Sequence, residues 1–189
     1  MLAYGNQVCS SKPKFEWELT GTAVVYLKNR ASRGWTTSDE LPHNKKIPQD
    51  EKANLRNEIL SLLATSTSQI RLQLIPMLQK ILNTDFPTQW PSYFDRTMQL
   101  LNTNEANSVY AGLQCMVALC RLYRFKSGET RTDFNQIVDA SFPRLLEIAN
   151  GLVQERSLEA WEMLHIIMKA FKQTIYVGYR RPHHSNPVV

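Results

Sequence analysis

Apolar residues recur at helical spacing along most of the chain, and the clearest stretch lies between residues 70 and 82. Steps of three and four place these side chains on one helical face: Ile70, Leu74, Met77, Leu78, Ile81 and Leu82. The pattern then stops, because residues 83–85 are poor helix-interior types and Pro87 biases Phe86 away from helical conformation. Thr88 is positioned to cap a second amphipathic segment. The stretch therefore predicts a helix, a break and a second helix.

Similar units recur towards the end of the sequence, with no clear strand pattern between them. We predict seven helices over residues 21–35, 48–64, 68–84, 88–102, 106–125, 131–152 and 155–177. Two short runs, 15–19 and 24–27, hint at strands, but the first has nothing to pair with and the second also fits helical steps. Pro76 and Pro143 lie inside helical patterns, where each removes one backbone hydrogen bond, so we expect kinks there.

The repeat length predicts the fold class. Each helical pair occupies roughly 40 residues, which is the period of HEAT and armadillo arrays. Since a single hairpin cannot bury its apolar face alone, neighbouring hairpins must stack. We therefore predict an all-α solenoid of HEAT-type antiparallel hairpins with right-handed superhelical curvature. The repeats span residues 21–177, after a poorly defined segment at 1–20 and before a tail at 178–189 that lacks any apolar period and is expected to be disordered.

Composition changes this picture little. The chain has 189 residues, of which 43% are hydrophobic and 21% charged, as in ordinary folded proteins. No apolar run approaches the roughly 20 residues that span a bilayer, and no secretory signal is visible, so we expect no membrane association. Three cysteines cannot all pair, and Cys115 and Cys120 sit within an apolar helical pattern, which indicates a reducing compartment.

The sequence offers no motif for catalysis. We find no glycine-rich phosphate loop, no nucleophile elbow, no paired catalytic carboxylates and no Cys/His spacing typical of zinc. We therefore predict no catalytic residue, no metal ligand and no cofactor. Stacked hairpins instead offer extended surfaces for binding a partner.

The net charge of +5 and the pI near 9.2 raise the question of nucleic acid. Basic residues form two clusters, Lys28, Arg30, Arg33, Lys45 and Lys46, and then Arg121, Arg124, Lys126 and Arg131. Nucleic-acid binding would require exposed aromatic or base-reading side chains beside this charge, whereas the aromatic residues lie on the apolar stripes. Solvated surface or contact with an acidic partner is therefore favoured, and nucleic acid is disfavoured.

Tryptophans and two arginines have both structural and functional interpretations. Trp35, Trp90 and Trp161 are candidate partner anchors, but their helical spacing favours core filling between hairpins. Arg56 and Arg71 are candidates for contact with an acidic partner. For Arg71, pairing with a carboxylate such as Asp85 or Asp95 is an equal contender.

Four segments taken together resemble the importin-β (karyopherin-β) family of nuclear transport receptors. They are VVYLKNRASRGW (24–35), IPQDEKANLRNEILSLL (47–63), IRLQLIPMLQKILNTDFPTQWP (70–91) and SVYAGLQCMVALCRLYRF (108–125). Each motif is weak, but their joint order and spacing look like the N-terminal module of the family. The later segments are most similar to the branch of importins seven and eight. The resemblance covers about 21–177.

The resemblance implies a superhelix whose outer helices are 21–35, 68–84, 106–125 and 155–177 and whose inner helices are 48–64, 88–102 and 131–152. It also implies binding of the small GTPase Ran in its GTP form at the N-terminal repeats, with protein import into the nucleus as the process. Cargo proteins and nucleoporin phenylalanine–glycine repeats would bind regions absent from this chain. The implied locations are the cytoplasm, the nucleus and the nuclear envelope.

The polar faces of the inner helices carry the candidate Ran-binding residues, which are Asn57, Glu58, Asp95 and Gln99. The alternative that these residues are merely solvent-facing is at least as good for each one. A generic HEAT scaffold that binds another protein or RNA is the alternative for the whole chain.

The chain departs from the family pattern in three respects. Residues 1–20 are too short for the first hairpin of the module, the C-terminal repeats are missing and the charge is basic. The first departure bears on Ran binding, because that hairpin contributes to the Ran surface in the family. It also leads us to expect an uncovered apolar side on 21–35 and marginal stability.

Overall fold

The computed structural model describes residues 14–36 and 46–175, with side chains from residue 21 onward. Its helices are α1 (Lys14–Gly34), α2 (Gln49–Thr65), α3 (Ser68–Asp85), α4 (Tyr93–Leu101), α5 (Ala106–Tyr123), α6 (Glu129–Val153) and α7 (Leu158–Ile175). The described residues contain no strand, so the strand hint at 15–19 is wrong. Residues 15–19 belong to α1, which begins at Lys14, seven residues earlier than expected. The predicted tail at 178–189 and residues 1–13 lie outside the described part.

The helices form two rows. In the first row α1 packs on α3, α3 on α5 and α5 on α7, whereas α4 packs on α6 in the second row. Between the rows, α2 packs on α3 and α5, α4 on α5, and α6 on α7. Alternation of successive helices between two rows is the arrangement of stacked HEAT-type hairpins, and it matches the division into outer and inner helices that the resemblance implies. The all-α solenoid prediction is confirmed.

Helix α5 lies at the centre of this arrangement. Twelve of its 18 residues are buried, because it contacts helices of both rows. This explains why α5 is apolar around most of its circumference. Gly112 allows α4 to approach closely, since a Cβ added there would lie 2.9 Å from Leu101 Cγ and 3.1 Å from the Leu101 backbone nitrogen.

The break after α3 differs in detail from its prediction. The backbone N–H groups of Gln89 and Trp90 both donate to the carbonyl oxygen of Asp85, at 2.7 and 3.1 Å. This turn carries Trp90 into the core, where it is buried. Helix α4 therefore begins at Tyr93, and the prediction that Thr88 caps a helix starting near 88 is wrong. The N-cap position is Ser92, which makes no side-chain capping bond.

Prolines do not end the helices that contain them. α3 continues through Pro76 and α6 continues through Pro143. Both prolines are exposed. The kinks stay a prediction. None of the helices in the described residues is long and apolar enough to cross a membrane.

The last helix contradicts part of the predicted core. Trp35 and Trp90 are buried as expected, but Trp161 is 64% exposed, so its assignment as core filling is wrong. Other large apolar side chains of this helix are also exposed, namely Leu158, Met168 and Ile175. The reason is geometric, because no described helix packs on the far side of α7.

Candidate functional site on helices α2 and α4

The four predicted binding residues lie on two helices of the same row. Asn57 and Glu58 are in the middle of α2, and Asp95 and Gln99 are one turn apart on α4. All four side chains are exposed. Exposure is compatible both with partner contact and with simple solvation, so the geometry around them decides what they can do.

Arg96 joins the two helices at this point. Its guanidinium donates from Nη1 to the carbonyl oxygen of Arg56 at 3.2 Å and from Nη2 to that of Asn57 at 2.6 Å. Arg96 thereby ties the segment of α4 that carries Asp95 and Gln99 to the middle of α2, where Asn57 and Glu58 lie. We call Asn57, Glu58, Asp95 and Gln99, with Arg96 between them, the α2–α4 surface. Arg96 was not among the predicted residues, and only its adjacency to Asp95 distinguishes it in the sequence.

A shallow groove of about 190 Å³ runs beside this contact. It is lined by Leu60, Ser61, Arg96, Gln99, Leu100 and Thr103. Small-molecule sites generally occupy 300–1,000 Å³, so the groove is too small for a cofactor. Its size suits one side chain of a protein partner, and Glu58 and Asp95 on the same two helices offer exposed carboxylates.

A buried polar junction holds α1, α2 and α3 together behind this surface. Asp85, which is 5% exposed, accepts hydrogen bonds from Trp35 Nε1 at 3.0 Å and Arg56 Nη1 at 2.6 Å. The buried Lys52 places its Nζ 5.6 Å from the Trp35 ring centroid. Arg56 is thus a structural residue, and its prediction as a contact for an acidic partner is wrong.

Arg71 also has a structural role, although with other partners than expected. It donates to the carbonyl oxygens of Leu63 and Ala64 in the last turn of α2, at 2.9 and 3.1 Å, and to Asn107 Oδ1 at 2.9 Å. The Asp85 and Asp95 pairings are wrong. Asp85 is 14 residues further along the same helix, which is about 21 Å at the helical rise, whereas the end of α2 is directly beside the first turn of α3.

The basic clusters are only partly available for partners. Lys28 donates to Gln73 Oε1 at 2.7 Å, and Arg30 forms an exposed ion pair with Glu51 at 2.9 Å. Lys45 lies outside the described residues. In the second cluster, Arg131 donates to the carbonyl oxygen of Thr174 at 2.9 Å.

Several aromatic residues are exposed and so depart from the expected pattern, and one of them lies in the second basic cluster. Phe125 is 72% exposed, with the Arg124 guanidinium 4.9 Å from its ring centroid and Lys126 next in sequence. The expectation that aromatic residues lie on the apolar stripes is therefore wrong at this position.

Both cysteines in the described residues, Cys115 and Cys120, are buried and free. Burial raises the pKa of the Cys115 thiol to about 12 and that of the Cys120 thiol to about 11, so both are protonated at neutral pH. Burial likewise raises the pKa of Tyr93, whose hydroxyl donates to the Cys115 carbonyl oxygen at 2.9 Å. Within the described ranges, no three His, Cys, Asp or Glu residues cluster as metal ligands would.

Comparisons with a family model and with curated proteins point to the same family. Residues 21–65 match the Importin-beta N-terminal domain family. The matched segment includes α2 with Asn57 and Glu58, whereas Asp95 and Gln99 lie beyond it.

Curated relatives extend the match over most of the chain. It is 32% identical over 167 residues to the Importin beta-like SAD2 homolog of Arabidopsis thaliana, covering 85% of this chain and 15% of the relative. It is 28% identical to the Probable importin-7 homolog of Dictyostelium discoideum, covering 80% of this chain and 14% of the relative. It is 25% identical to Importin-8 of Danio rerio, covering 82% and 16%.

The chain thus spans about one seventh of the length of these relatives. The matches agree with one another and with the two-row helical array. They confirm the resemblance drawn from the sequence segments, and the chain belongs to the importin-β family.

Proposed function

We propose that this chain is part of a nuclear transport receptor and that its α2–α4 surface binds Ran in its GTP form. Support comes from the family membership and from the match of residues 21–65 to the N-terminal domain of that family. The observation that carries the proposal is the double hydrogen bond from Arg96 to the backbone of α2. It ties the segment of α4 that carries Asp95 and Gln99 to the middle of α2, where Asn57 and Glu58 lie, and all four side chains are exposed.

The chemistry of this surface suits a protein partner with basic and amide side chains. Glu58 and Asp95 accept hydrogen bonds from lysine or arginine, and charge-assisted bonds of this kind are the stronger ones. Asn57 and Gln99 both donate and accept, which gives directional selectivity. The groove beside Arg96 takes one partner side chain. Nothing in this mechanism requires a cofactor, because the bound GTP belongs to Ran.

The proposed mechanism is exclusive binding. Ran-GTP occupies the N-terminal repeats and cargo leaves, so the receptor loads cargo where Ran-GTP is scarce and releases it where Ran-GTP is abundant. Cargo proteins and nucleoporins would bind regions outside this chain. Such a cycle places the protein in the cytoplasm and the nucleus and at the nuclear envelope during passage, and its process is protein import.

The direct test is calorimetric titration of this chain with Ran loaded with a non-hydrolysable GTP analogue and, separately, with GDP. We expect binding of the GTP form only. Asp95→Ala with Gln99→Ala should weaken it at least tenfold, because both side chains face the partner. Asp139→Ala, which removes an exposed carboxylate on α6, is the matched control and should leave affinity unchanged. Equal binding of the two nucleotide forms, or none, contradicts the proposal.

A second candidate function is that of a HEAT scaffold for RNA, and one observation favours it. Phe125 is exposed beside Arg124 and Lys126, which is the combination of stacking platform and positive charge that single-stranded nucleic acid uses. RNA affinity measured against salt concentration should then fall steeply, because phosphate contacts release counterions. Phe125→Ala should weaken binding further at every salt concentration. A flat salt dependence excludes this function.

A further inference from the structure

The carboxyl ends of the outer helices α1, α3 and α5 lie along one edge of the array. Trp35, directly after α1, donates from Nε1 to Asp85 at the end of α3, at 3.0 Å. The rings of Phe86, directly after α3, and Tyr123, the last residue of α5, lie 6.3 Å apart between centroids. Because packed helices are about 8–10 Å apart, the three helix ends follow one another over roughly 16–20 Å.

Basic residues collect at this edge. Arg33, Lys80 and Arg121 lie one, five and two residues before the ends of their helices. Arg124 and Lys126 lie in the turn that follows α5. The helix dipole favours cations at carboxyl ends, so the three within helices also stabilise the helices that carry them. Their charge is available to a partner only where no carboxylate of the chain already neutralises it.

Most of this charge has no counter-ion in the described part of the chain. The ion pairs among the described residues involve three other arginines, Arg30, Arg56 and Arg144. The cations of the edge that form no ion pair there are Arg33, Lys80, Arg121 and Lys126. Arg33 and Lys126 are exposed, and the other two are half-buried. The edge therefore offers four positive charges to an anionic partner.

The described carboxylates at the same end of the array are either buried or on the inner row. Asp85 is buried and already accepts a hydrogen bond from Arg56 at 2.6 Å. Asp50, Glu129 and Asp133 are exposed, but they lie on the inner helices α2 and α6. A negatively charged polymer is thus attracted to the outer row and repelled from the inner one, which directs it along the outer helix ends.

An exposed aromatic ring lies among these cations. Phe125 is 72% exposed in the turn after α5, and the Arg124 guanidinium lies 4.9 Å from its ring centroid. An acidic protein segment would need only the cations, whereas unpaired bases also need a ring on which to stack. The bases of a duplex are already stacked on one another and are not free to do so. The cations and the exposed ring together therefore favour single-stranded nucleic acid.

We propose that single-stranded RNA lies along this edge, with its phosphates on the four cations and one base on the ring of Phe125. We call the five residues involved the basic edge, namely Arg33, Lys80, Arg121, Phe125 and Lys126. The inference rests on the RNA-binding function proposed above, to which it adds the site and the form of the RNA. Each phosphate contact with a single strand contributes about −0.7 to the slope of log affinity against log salt concentration, so four contacts predict a slope of about −3.

Fluorescence anisotropy of the whole chain with a labelled oligouridine of about 12 nucleotides tests the site between about 50 and about 200 mM salt. Arg33→Ala and Lys126→Ala should each lower the magnitude of the slope by about 0.7, because each removes one phosphate contact. Arg156→Ala is the matched control and should leave the slope unchanged, since it removes one exposed cation from the turn between α6 and α7, at the opposite edge.

The outcomes separate the site from the function. A steep slope that neither edge variant alters overturns the basic edge as the site, while the RNA-binding function stands. Binding that does not depend on salt, or no binding, overturns both.

The form of the nucleic acid is tested through Phe125. Phe125→Ala should weaken binding of the oligouridine at least about fivefold, the lower end for one stacked base, and leave the slope unchanged because the ring carries no charge. Phe125→Tyr keeps the ring and should retain the affinity. The affinity for duplex RNA of the same length should not respond to Phe125→Ala, and an equal loss for both forms overturns the assignment to single strands.

An acidic protein segment is the outcome that would replace RNA. If Phe125→Ala binds the oligouridine as tightly as the unchanged chain, and poly-glutamate displaces the RNA at equal charge concentration, the basic edge serves an acidic protein and the proposal is overturned. Circular dichroism of each variant checks that these exposed substitutions leave the helical content unchanged.

Discussion

Replacing Asp85 with alanine tests whether the buried junction of α1, α2 and α3 holds the first repeats together. The carboxylate is 5% exposed and accepts one hydrogen bond from Trp35 and a charged one from Arg56. The alanine variant removes the counter-ion of Arg56, whose side chain is only 12% exposed. Because the charge stays buried while its partner is lost, the cost exceeds that of one neutral hydrogen bond.

We expect Asp85→Ala to lower the free energy of unfolding by about 3–5 kcal/mol, the range for breaking a buried ion pair on one side. For a chain of this size that corresponds to a fall in Tm of roughly 10 °C. The assay is urea unfolding followed by circular dichroism, with the slope against denaturant compared between variants to check that unfolding remains two-state. Glu51→Ala removes the exposed ion pair with Arg30 and should produce no measurable change.

A double-mutant cycle sharpens the result. If the loss arises from the Arg56–Asp85 contact, Arg56→Ala should remove most of the effect of Asp85→Ala, and the coupling between them should exceed about 1 kcal/mol. A loss below 1 kcal/mol for Asp85→Ala, or additive single effects, would show that the junction does not stabilise these helices in the way its geometry indicates.

Three further predictions concern other parts of the array. Gly112→Ala should lower the free energy of unfolding by about 1–3 kcal/mol in urea titrations, since the added Cβ meets Leu101. Gly151→Ala, whose added Cβ meets nothing within 4 Å, should raise the free energy of unfolding by about 0.5–1 kcal/mol. The Cys115 thiol should react with Ellman's reagent only on unfolding. Its contribution to stability should be complete below its ordinary pKa of 9.0 and be lost between there and about pH 12. Reaction of Cys115 itself in the native protein at pH 8, measured in a Cys9→Ser variant, would contradict this. Arg96→Ala should lower stability by about 1–3 kcal/mol and weaken Ran-GTP binding in calorimetry, and unchanged affinity would argue against the α2–α4 surface.

Periodicity was sufficient for the fold class because apolar residues recur at helical steps along most of the chain. The boundaries that failed did so where tertiary contacts outweigh local preference. Thr88 is a good cap residue, but the Asp85 carbonyl oxygen accepts two N–H groups just beyond it, and burial of Trp90 delays the start of α4 by five residues. No local pattern contains that information.

The candidate site was predictable in part, since exposure of the polar faces of α2 and α4 follows from their amphipathic pattern. The roles of Arg56 and Arg71 were not, because both depend on which helix ends meet in space. The exposure of Trp161 was likewise not predictable from the sequence. Its spacing is that of a buried residue, and only the packing reveals that α7 has two apolar faces.

The contact between α4 and α2 has one more consequence, which concerns how this surface can diverge. Arg96 is bonded to main-chain oxygens at positions 56 and 57 and not to side chains. Every amino acid supplies such an oxygen, so substitution of Asn57 leaves the spacing of the two helices intact. Side chains on the surface of α2 can therefore change without disturbing the contact between α2 and α4, so relatives can differ in the partner they bind while keeping the same helix packing.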